Sequence, residues 1–356
     1  MSRRTVNSPN LQVRSRSRFA RPLAAAACLV LTAVIAVGSV AASAQEVFEL
    51  QPEYVYGRHR KPRIGYTKPE VFDPLSDRLY RSGMKDYPPT AIPEELKNVD
   101  AMTRIEGMGR IMACADGWFW PFSRTARKNE PPGLEIELLQ TIAKKHGWEV
   151  DMSWVNMATR FGPGAPGGAY DRSIKKGVCD IVLGLTVSGD DHHMEPNELS
   201  FTAPFMSTGF VLVTQGAAKG LRTLDDAKTQ NIKVGVPAYS PMSEYAEENG
   251  IPYTTFFQNY QVIDAMVRGE IDAAMIWSGA ISQAKLEHPE AEFEMPKGYV
   301  PVPEMRWNSA WVVKTKEAEL LQFINESFAQ MLKSGEIKRL CERYGIPFYP
   351  PVPMEE

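Results

Sequence analysis

Apolar and polar positions follow two recurring patterns from Arg110 to the end of the chain. Short apolar or alternating runs are typical of strands, whereas apolar positions spaced three or four residues apart are typical of helices. The predicted strands are 111–115, 148–155, 179–183, 209–214, 232–236, 254–257, 271–276 and 309–314. The predicted helices are 134–146, 170–176, 240–249, 260–268 and 278–287, and a last amphipathic helix contains Leu320, Leu321, Ile324, Phe328 and Leu332. Strands that alternate with helices predict an α/β fold.

The strand–helix rhythm restarts midway through this region, which predicts two small α/β lobes side by side. The expected boundaries are 106–208 and 315–350 for lobe 1, 215–308 for lobe 2, 209–214 and 309–314 for two hinge crossovers, and 351–356 for a tail. This organisation is that of a two-lobed clamshell whose lobes are joined by two crossing strands.

The first 44 residues read as a targeting segment and not as part of the fold. Six arginines and no acidic residue come first, an apolar run from Leu23 to about Ala42 follows, and Ala42-Ser43-Ala44 precedes Gln45. This order is typical of a secretory signal peptide with its cleavage site, so we expect an exported, soluble protein. An uncleaved membrane anchor is the alternative.

Residues 45–105 show no sustained period of either kind. They are rich in proline and aromatic residues and include a basic cluster at 58–61. We expect an extended N-terminal arm that lies over a neighbouring surface, with a disordered segment as the alternative.

Charge narrows the range of functions. Six of the 40 basic residues lie in the predicted signal peptide, so against 43 acidic residues the mature chain carries about −9. An acidic surface argues against nucleic acid as a partner, because phosphate binding requires clustered lysine and arginine. The mature chain keeps three cysteines, without C-x-x-C spacing, and Cys341 reads as a buried apolar residue in a helix.

Four segments resemble the type II periplasmic solute-binding proteins of the amino-acid-receptor-like family. They are the strand with aromatics IMACADGWFWPFS, the helix LEIELLQTIAKKHG, the run GVCDIVLGLT, and FTAPFMSTGFVLVTQG. The resemblance covers residues 107 to about 350. It implies the two-lobed periplasmic-binding-protein type II clamshell and a location in the periplasm.

A narrower resemblance is to the group associated with PQQ-dependent methanol dehydrogenases. That group has CAD, four residues and then PFS, and here Cys114-Ala115-Asp116 is followed by Pro121-Phe122-Ser123. Gly177 to Gly184 is similar to a second motif of the group, and Tyr344-Gly345-Ile346-Pro347 to a third. The resemblance implies a non-catalytic protein without a cofactor that assists a PQQ-dependent alcohol dehydrogenase. Its partner would be that dehydrogenase or its cytochrome c.

Two departures from the amino-acid receptors bear on the ligand. The receptors hold the ligand carboxylate with an arginine in a T-x-T-x-x-R segment, where this chain has Asp191. The receptors hold the ammonium group with an aspartate at a position where this chain has Trp277. An α-amino acid is therefore not the expected ligand. The alternative function is an ABC-importer receptor, with an ABC permease as partner, for an uncharged or aromatic small molecule.

The resemblance places the loop after the first strand and the end of the strand at 271–276 on opposite sides of the cleft between the lobes. Trp118, Trp120 and Trp277 are expected to form an apolar cleft with Phe205 at its wall, whereas Phe119 is expected to be buried. The remaining candidate ligand-binding residues are Asp116, Phe122, Thr186, Ser188 and Ser240.

Other chemistry is less well supported by the sequence. Asp190-Asp191-His192-His193 has metal-ligand residue types, but consecutive residues on one loop rarely converge on one ion, so a solvated loop is the preferred interpretation. Asp116, Glu244 and Asp191 offer acid–base groups without a recognisable catalytic set, so no enzymatic activity is expected.

The sequence supports both a disulfide between Cys114 and Cys179 and two free thiols. Their strands should be neighbours, but the two residues differ in height by about three positions, or roughly 10 Å at the rise of a strand. A disulfide does not span that distance without movement of the backbone.

Overall fold

A computed structural model describes residues 47–48, 66–67, 91–125, 131–157, 168–187 and 198–353. The described residues from 66 onwards belong to one compact unit. The expected signal peptide (1–44) lies outside the described residues, as does most of the expected arm up to residue 90. No helix among the described residues is both long enough and apolar enough to cross a membrane.

Thirteen strands and nine α-helices are present in the described ranges. The strands are β1 Val47–Phe48, β2 Tyr66–Thr67, β3 Arg110–Ala115, β4 Trp118–Phe119, β5 Ser123–Arg124, β6 Glu149–Trp154, β7 Ile181–Val187, β8 Leu199–Phe201, β9 Met206–Thr214, β10 Val234–Pro237, β11 Tyr253–Phe256, β12 Ala273–Trp277 and β13 Arg306–Lys314. The helices are α1 Ala101–Met108, α2 Leu134–Lys145, α3 Ala169–Arg172, α4 Leu224–Thr229, α5 Pro241–Glu248, α6 Asn259–Val267, α7 Ser278–Glu287, α8 Ala318–Lys333 and α9 Glu336–Arg343.

One mixed sheet of nine strands organises the unit, in the order β11-β10-β12-β9-β13-β7-β3-β6 with β8 also paired to β13. β10 pairs in parallel with β11 and β12, and β3 pairs in parallel with β6 and β7. β9 and β13 are antiparallel to their neighbours and to each other. The predicted α/β class is therefore confirmed. We refer to β11, β10 and β12 with their helices as the second half of the sheet, and to β7, β3 and β6 with theirs as the first half.

β9 and β13 join the two halves. The first residues of both strands pair with each other, from Arg306 opposite Gly209 to Ser309 opposite Met206. Farther along, β9 pairs with β12, and β13 pairs with β7 and β8. Each strand extends three residues before the predicted start, because its first positions are mostly polar and carry no apolar signal. The division into lobes remains a prediction.

α1 crosses from the end of the expected arm (45–105) into the start of the expected lobe 1, where the sequence indicated no helix. Asp100 caps it by accepting a hydrogen bond from the Thr103 amide at 2.9 Å, and Ile105 is fully buried. The Ala101 amide donates to the Glu317 carboxylate at 2.7 Å, at the start of α8. Residues 100–108 thus belong to the core of the first half. The helix was not predicted because only two of its eight residues, Ala101 and Ile105, are buried, which is too few to show a helical period.

Cys114 and Cys179 form a disulfide, with their Cα atoms 5.8 Å apart. The register places Cys114 opposite Val182, so Cys179 does precede the paired position by three residues. However, β7 begins only at Ile181, and the Asp180 amide donates to the Met112 carbonyl at 2.8 Å. Because Cys179 lies in the turn before the strand, the rise of an extended chain does not apply to it. The expectation that Cys114 and Cys179 lie too far apart for a disulfide was therefore wrong.

Candidate functional site

Asp116 directly follows β3 and fixes the loop after it. One carboxylate oxygen accepts a hydrogen bond from the Trp118 amide at 2.8 Å, and the other accepts from the Met157 amide at 3.2 Å. The Ser123 hydroxyl donates to the Asp116 carbonyl at 2.7 Å. Asp116 is nearly buried. One carboxylate oxygen therefore holds the start of the β4–β5 hairpin and the other holds the segment after β6, so both are engaged within the fold.

The three aromatic residues after Asp116 have different surroundings. Trp118 is 53% exposed, whereas Phe119 and Trp120 are half-buried. The Arg124 guanidinium lies 4.2 Å from the centre of the Trp120 ring, and the Tyr344 ring lies 5.6 Å from it. Trp118 alone of the three presents a large exposed surface.

Phe119, Phe122 and Trp277 form an aromatic triad that joins the two halves of the sheet. The ring centres of Phe119 and Trp277 are 5.4 Å apart with planes at 18°, and Phe119 and Phe122 are stacked at 5.3 Å. Phe122 is also 5.3 Å from Trp277. Trp277 ends β12 in the second half, whereas both phenylalanines follow β3 in the first half. Phe122 is buried as the anchor of the triad and has no surface to offer a ligand.

Three hydroxyl-bearing residues lie within the adjacent strands β7, β13 and β9, beside the triad. Ser309 of β13 lies opposite Thr186 of β7, and Thr208 of β9 lies opposite Trp307 of β13. Directly opposed residues of antiparallel strands place their side chains on the same face. Thr186 is exposed, whereas Ser309 and Thr208 are buried. We call Thr186, Ser309 and Thr208 the hydroxyl row.

Exposed aromatic residues also follow the strands of the second half, and the sequence patterns did not predict them. Tyr239 comes after β10 and is 41% exposed, and Phe257 and Tyr260 come after β11 and are 53% and 43% exposed. They lie at the carboxyl ends of parallel strands, the edge where open α/β sheets bind ligands. The signal that could have found them is an aromatic residue one to four positions after a strand end.

Two predicted site residues are placed in structural roles. Ser240 is buried as the N-cap of α5, where its hydroxyl donates to the Pro237 carbonyl at 2.6 Å and accepts from the Ser243 amide at 3.3 Å. Phe205 is fully buried between Trp311 and Phe328, at ring distances of 5.8 and 5.0 Å. The structure thus places Phe205 in the core of the first half and not at a cleft wall, because its ring packs against β13 and α8.

Two of the expected features lie outside the described residues, namely Ser188 and the loop from Asp190 to His193. In the part of the chain that is described, no group of three or more histidine, cysteine, aspartate or glutamate side chains could hold a metal ion.

Glu135 lies directly behind the site, in the first turn of α2. Its side chain is buried and accepts hydrogen bonds from the Gly184 amide at 2.6 Å and from the Trp311 indole at 2.8 Å. Burial raises the pKa of this carboxyl to about 8, against the opposing effect of the two donors. The first half therefore contains an uncharged carboxyl at neutral pH, next to the strand on which Phe119 packs.

Comparison with known proteins identifies relatives of the whole two-halved unit. The family model of bacterial extracellular solute-binding proteins, family 3, matches residues 111–347. The L-cystine-binding protein TcyJ of Escherichia coli K12 is 21% identical over 249 residues, which are 68% of this chain and 85% of that protein.

Solved structures show the same fold. The unliganded, open L-cystine solute receptor of Neisseria gonorrhoeae is 17% identical, with a TM-score of 0.57 over 71% of this chain and 100% of that one. An ancestral cyclohexadienyl dehydratase is 18% identical, with a TM-score of 0.52 over 69% of this chain and 96% of that one. The expected type II periplasmic-binding-protein fold is therefore confirmed.

Proposed function

The chain belongs to the bacterial extracellular solute-binding proteins of family 3, and from this premise we propose that it is a non-catalytic periplasmic protein assisting a PQQ-dependent alcohol dehydrogenase. The observation that carries the proposal is the set of exposed aromatic residues at the carboxyl ends of the strands of both halves, Trp118, Tyr239, Phe257 and Tyr260. Soluble proteins rarely expose a group of large apolar side chains without a binding role. Aromatic residues are also those that most often anchor protein–protein interfaces.

The resemblance to the dehydrogenase-associated group supports the choice of partner, because its motifs act together in this structure. The cysteine of the CAD motif is bonded to the cysteine of the second motif. Within the first motif, the Ser123 hydroxyl of PFS donates a hydrogen bond to the Asp116 carbonyl of CAD at 2.7 Å. Tyr344 of the third motif donates to Glu137 at 2.8 Å and accepts from the Gly133 amide at 3.2 Å.

Export and charge are compatible with this function. A cleaved signal peptide at 1–44 would deliver the chain to the periplasm, and a mature charge of about −9 favours docking to a basic surface. The proposed assistance is binding during maturation, activation or contact with the cytochrome c. It requires no chemistry from this chain.

A receptor function for an ABC importer is the second candidate, and the named relatives favour it. TcyJ and the Neisseria protein are both described as binding or receiving L-cystine. Here Trp277 takes the position of the ammonium-binding aspartate and stacks on Phe119. We therefore propose an uncharged or aromatic solute, and not an α-amino acid, as the ligand of such a receptor, with an ABC permease as its partner.

Co-purification tests the first candidate. The full mature protein is immobilised and incubated with a purified PQQ-dependent alcohol dehydrogenase and, separately, with its cytochrome c. Retention of either partner is expected, and the double variant Trp118→Ala/Phe257→Ala should weaken it by more than about tenfold. Val267→Ala is the matched control, because Val267 is also exposed but lies at the opposite end of α6 from Tyr260.

Melting temperatures with a panel of uncharged, aromatic and amino-acid solutes test the second candidate. A receptor at about 100 times its dissociation constant gains about 2.7 kcal/mol, which raises the melting temperature by a few degrees. A shift with one solute, combined with no retention of either dehydrogenase partner, would replace the first candidate by the second. Retention that persists in the double variant would show that the aromatic surface is not the docking site.

A further inference from the structure

Thr208 is a buried hydroxyl-bearing residue at the junction of the two halves. Its side chain is only 1% exposed, and its Oγ1 atom has no hydrogen-bond partner among the described residues. A buried hydroxyl without a partner destabilises the fold by about 1–3 kcal/mol. Valine has nearly the same shape and suits a strand equally well without that cost. The presence of threonine at this position therefore requires another reason.

The surroundings of Thr208 indicate what its hydroxyl faces. Thr208 shares its sheet face with Met206, which packs in the core of the first half, and with Phe210, which packs in the core of the second. β12 ends at Trp277, which pairs with Phe210 of β9. Thr208 lies two residues before Phe210 on the same face of β9, just beyond the last residue that β12 pairs with. The Thr208 side chain thus lies where the two cores meet, diagonally next to Trp277.

The rest of the hydroxyl row continues from this point towards the surface. Ser309 lies opposite Met206 and is therefore the diagonal neighbour of Thr208, at roughly 7–8 Å between Cα atoms. Thr186, on the other side of Ser309, is exposed. The row thus places hydroxyl groups along one face of the sheet, from the exposed Thr186 to the buried Thr208.

Aromatic side chains flank the hydroxyl row. Trp307 is paired directly with Thr208 and contacts Phe210 edge-to-face at a ring distance of 5.9 Å. Trp277 and Phe119 lie beside the row and are stacked on each other. Such faces suit a flat, apolar ring.

The charged side chains described near the row are engaged elsewhere. Arg306 donates to the Ser207 hydroxyl at 2.7 Å and to the Pro350 carbonyl at 2.6 Å on the opposite face of the sheet. Both carboxylate oxygens of Asp116 accept backbone amides. The described residues therefore supply hydroxyl groups and rings but no counter-ion.

We propose that the hydroxyl row is the polar floor of a small-molecule site, in which Thr208 hydrogen-bonds the single hydroxyl group of an uncharged aromatic ligand of the phenol class. The ring of the ligand packs against Trp277 and Trp307. This proposal deepens the second candidate function, a receptor for an uncharged or aromatic solute, and rests on it, but binding at the site requires neither the dehydrogenase nor a permease. It applies to the isolated protein.

Phenol and toluene test the site, because they share a ring and differ in the hydroxyl group. Isothermal titration of the full mature protein should show phenol binding at least about tenfold more tightly than toluene, a preference of about 1.4 kcal/mol. Thr208→Val should remove the preference and leave toluene affinity unchanged, whereas Thr208→Ser should retain it. Equal affinities in the unmodified protein, a preference that survives in Thr208→Val, or no phenol binding at millimolar concentration would each overturn the proposal.

A stability measurement provides a second test that does not depend on the probe. Thr208→Val should raise the melting temperature of the ligand-free protein, because the variant removes an unpartnered buried hydroxyl. Thr202→Val is the matched control: Thr202 is equally buried, but its hydroxyl accepts from the Trp311 amide at 2.9 Å, so that variant should melt lower. A lower melting temperature for Thr208→Val would show that its hydroxyl already has a partner within the fold, and the proposal would fail.

Discussion

The buried carboxyl of Glu135 predicts that the protein loses stability as pH rises. Its pKa is about 8 in the folded chain, against an ordinary value of 4.5. A group whose folded-state pKa is raised favours folding at low pH, and this contribution is lost as pH rises towards the folded-state pKa. A pKa difference of about 3.5 corresponds to about 5 kcal/mol at high pH, since each unit is about 1.4 kcal/mol. Between pH 5 and pH 8 the loss should reach about 3 kcal/mol.

Glu135→Gln should remove most of this dependence. The amide oxygen of glutamine can still accept from the Gly184 amide and the Trp311 indole, so the hydrogen bonds persist while the ionisation is abolished. Urea unfolding at pH 5, 6.5 and 8 measures the free energy of unfolding directly. We expect the variant to match the unmodified protein within about 1 kcal/mol at pH 5 and to exceed it by about 3 kcal/mol at pH 8.

Glu319→Gln is the matched control for this experiment. Glu319 also lies in the first turn of a helix, α8, but it is exposed. Its variant should keep the pH dependence of the unmodified protein. An equal pH dependence in Glu135→Gln and in the unmodified protein would refute the reasoning, because the buried carboxyl would then not be the group that titrates.

Two further predictions concern covalent and hydrogen-bonded ties in the same unit. The bond between Cys114 and Cys179 links positions 65 residues apart, so a double alanine variant should lose about 2–4 kcal/mol of unfolding free energy in chemical denaturation. Reductant should not destabilise this variant further, since Cys341 is free. If reductant destabilised the variant as much as the unmodified protein, the result would contradict this pairing. Asn308 exchanges two hydrogen bonds of 2.8 Å with the backbone of Val352. Asn308→Ala should cost about 1–2 kcal/mol and speed amide hydrogen exchange at 349–353, and unchanged exchange there would show that the tail is held by other contacts.

Elements with a clear apolar period could be predicted closely from the sequence. α2 was expected at 134–146 and is found at Leu134–Lys145. Its apolar residues are buried in the core of the first half, so the burial that stabilises the helix is also what creates the pattern. α7 was expected at 278–287 and is found at Ser278–Glu287, although its apolar residues show little helical period. The sequence failed where tertiary contacts decide, as in α1, whose Arg104 pairs with the distant Asp180 at 2.6 Å.

The candidate site was predictable only in part for the same reason. Trp118 and Trp277 could be found because each follows a recognisable strand. Phe205 also lies beside a strand, but its side chain direction depends on packing against Trp311, which no local pattern records. The unpartnered hydroxyl of Thr208 is likewise a property of the folded surroundings, because any threonine in a strand has the same local sequence signature.

Trp277 takes part in both proposals for a small solute, the receptor candidate and the site at the hydroxyl row. Its backbone amide donates to the side-chain oxygen of Asn259 at 3.2 Å, so the residue is tied to the second half. Phe119 and the buried Phe122 belong to the first half, so any opening of the unit between the halves must separate Trp277 from them. Such aromatic contacts are worth about 0.5–1.5 kcal/mol each beyond their burial. Micromolar binding supplies about 8 kcal/mol, so a solute can separate Trp277 from Phe119 while Phe122 stays in the core of the first half.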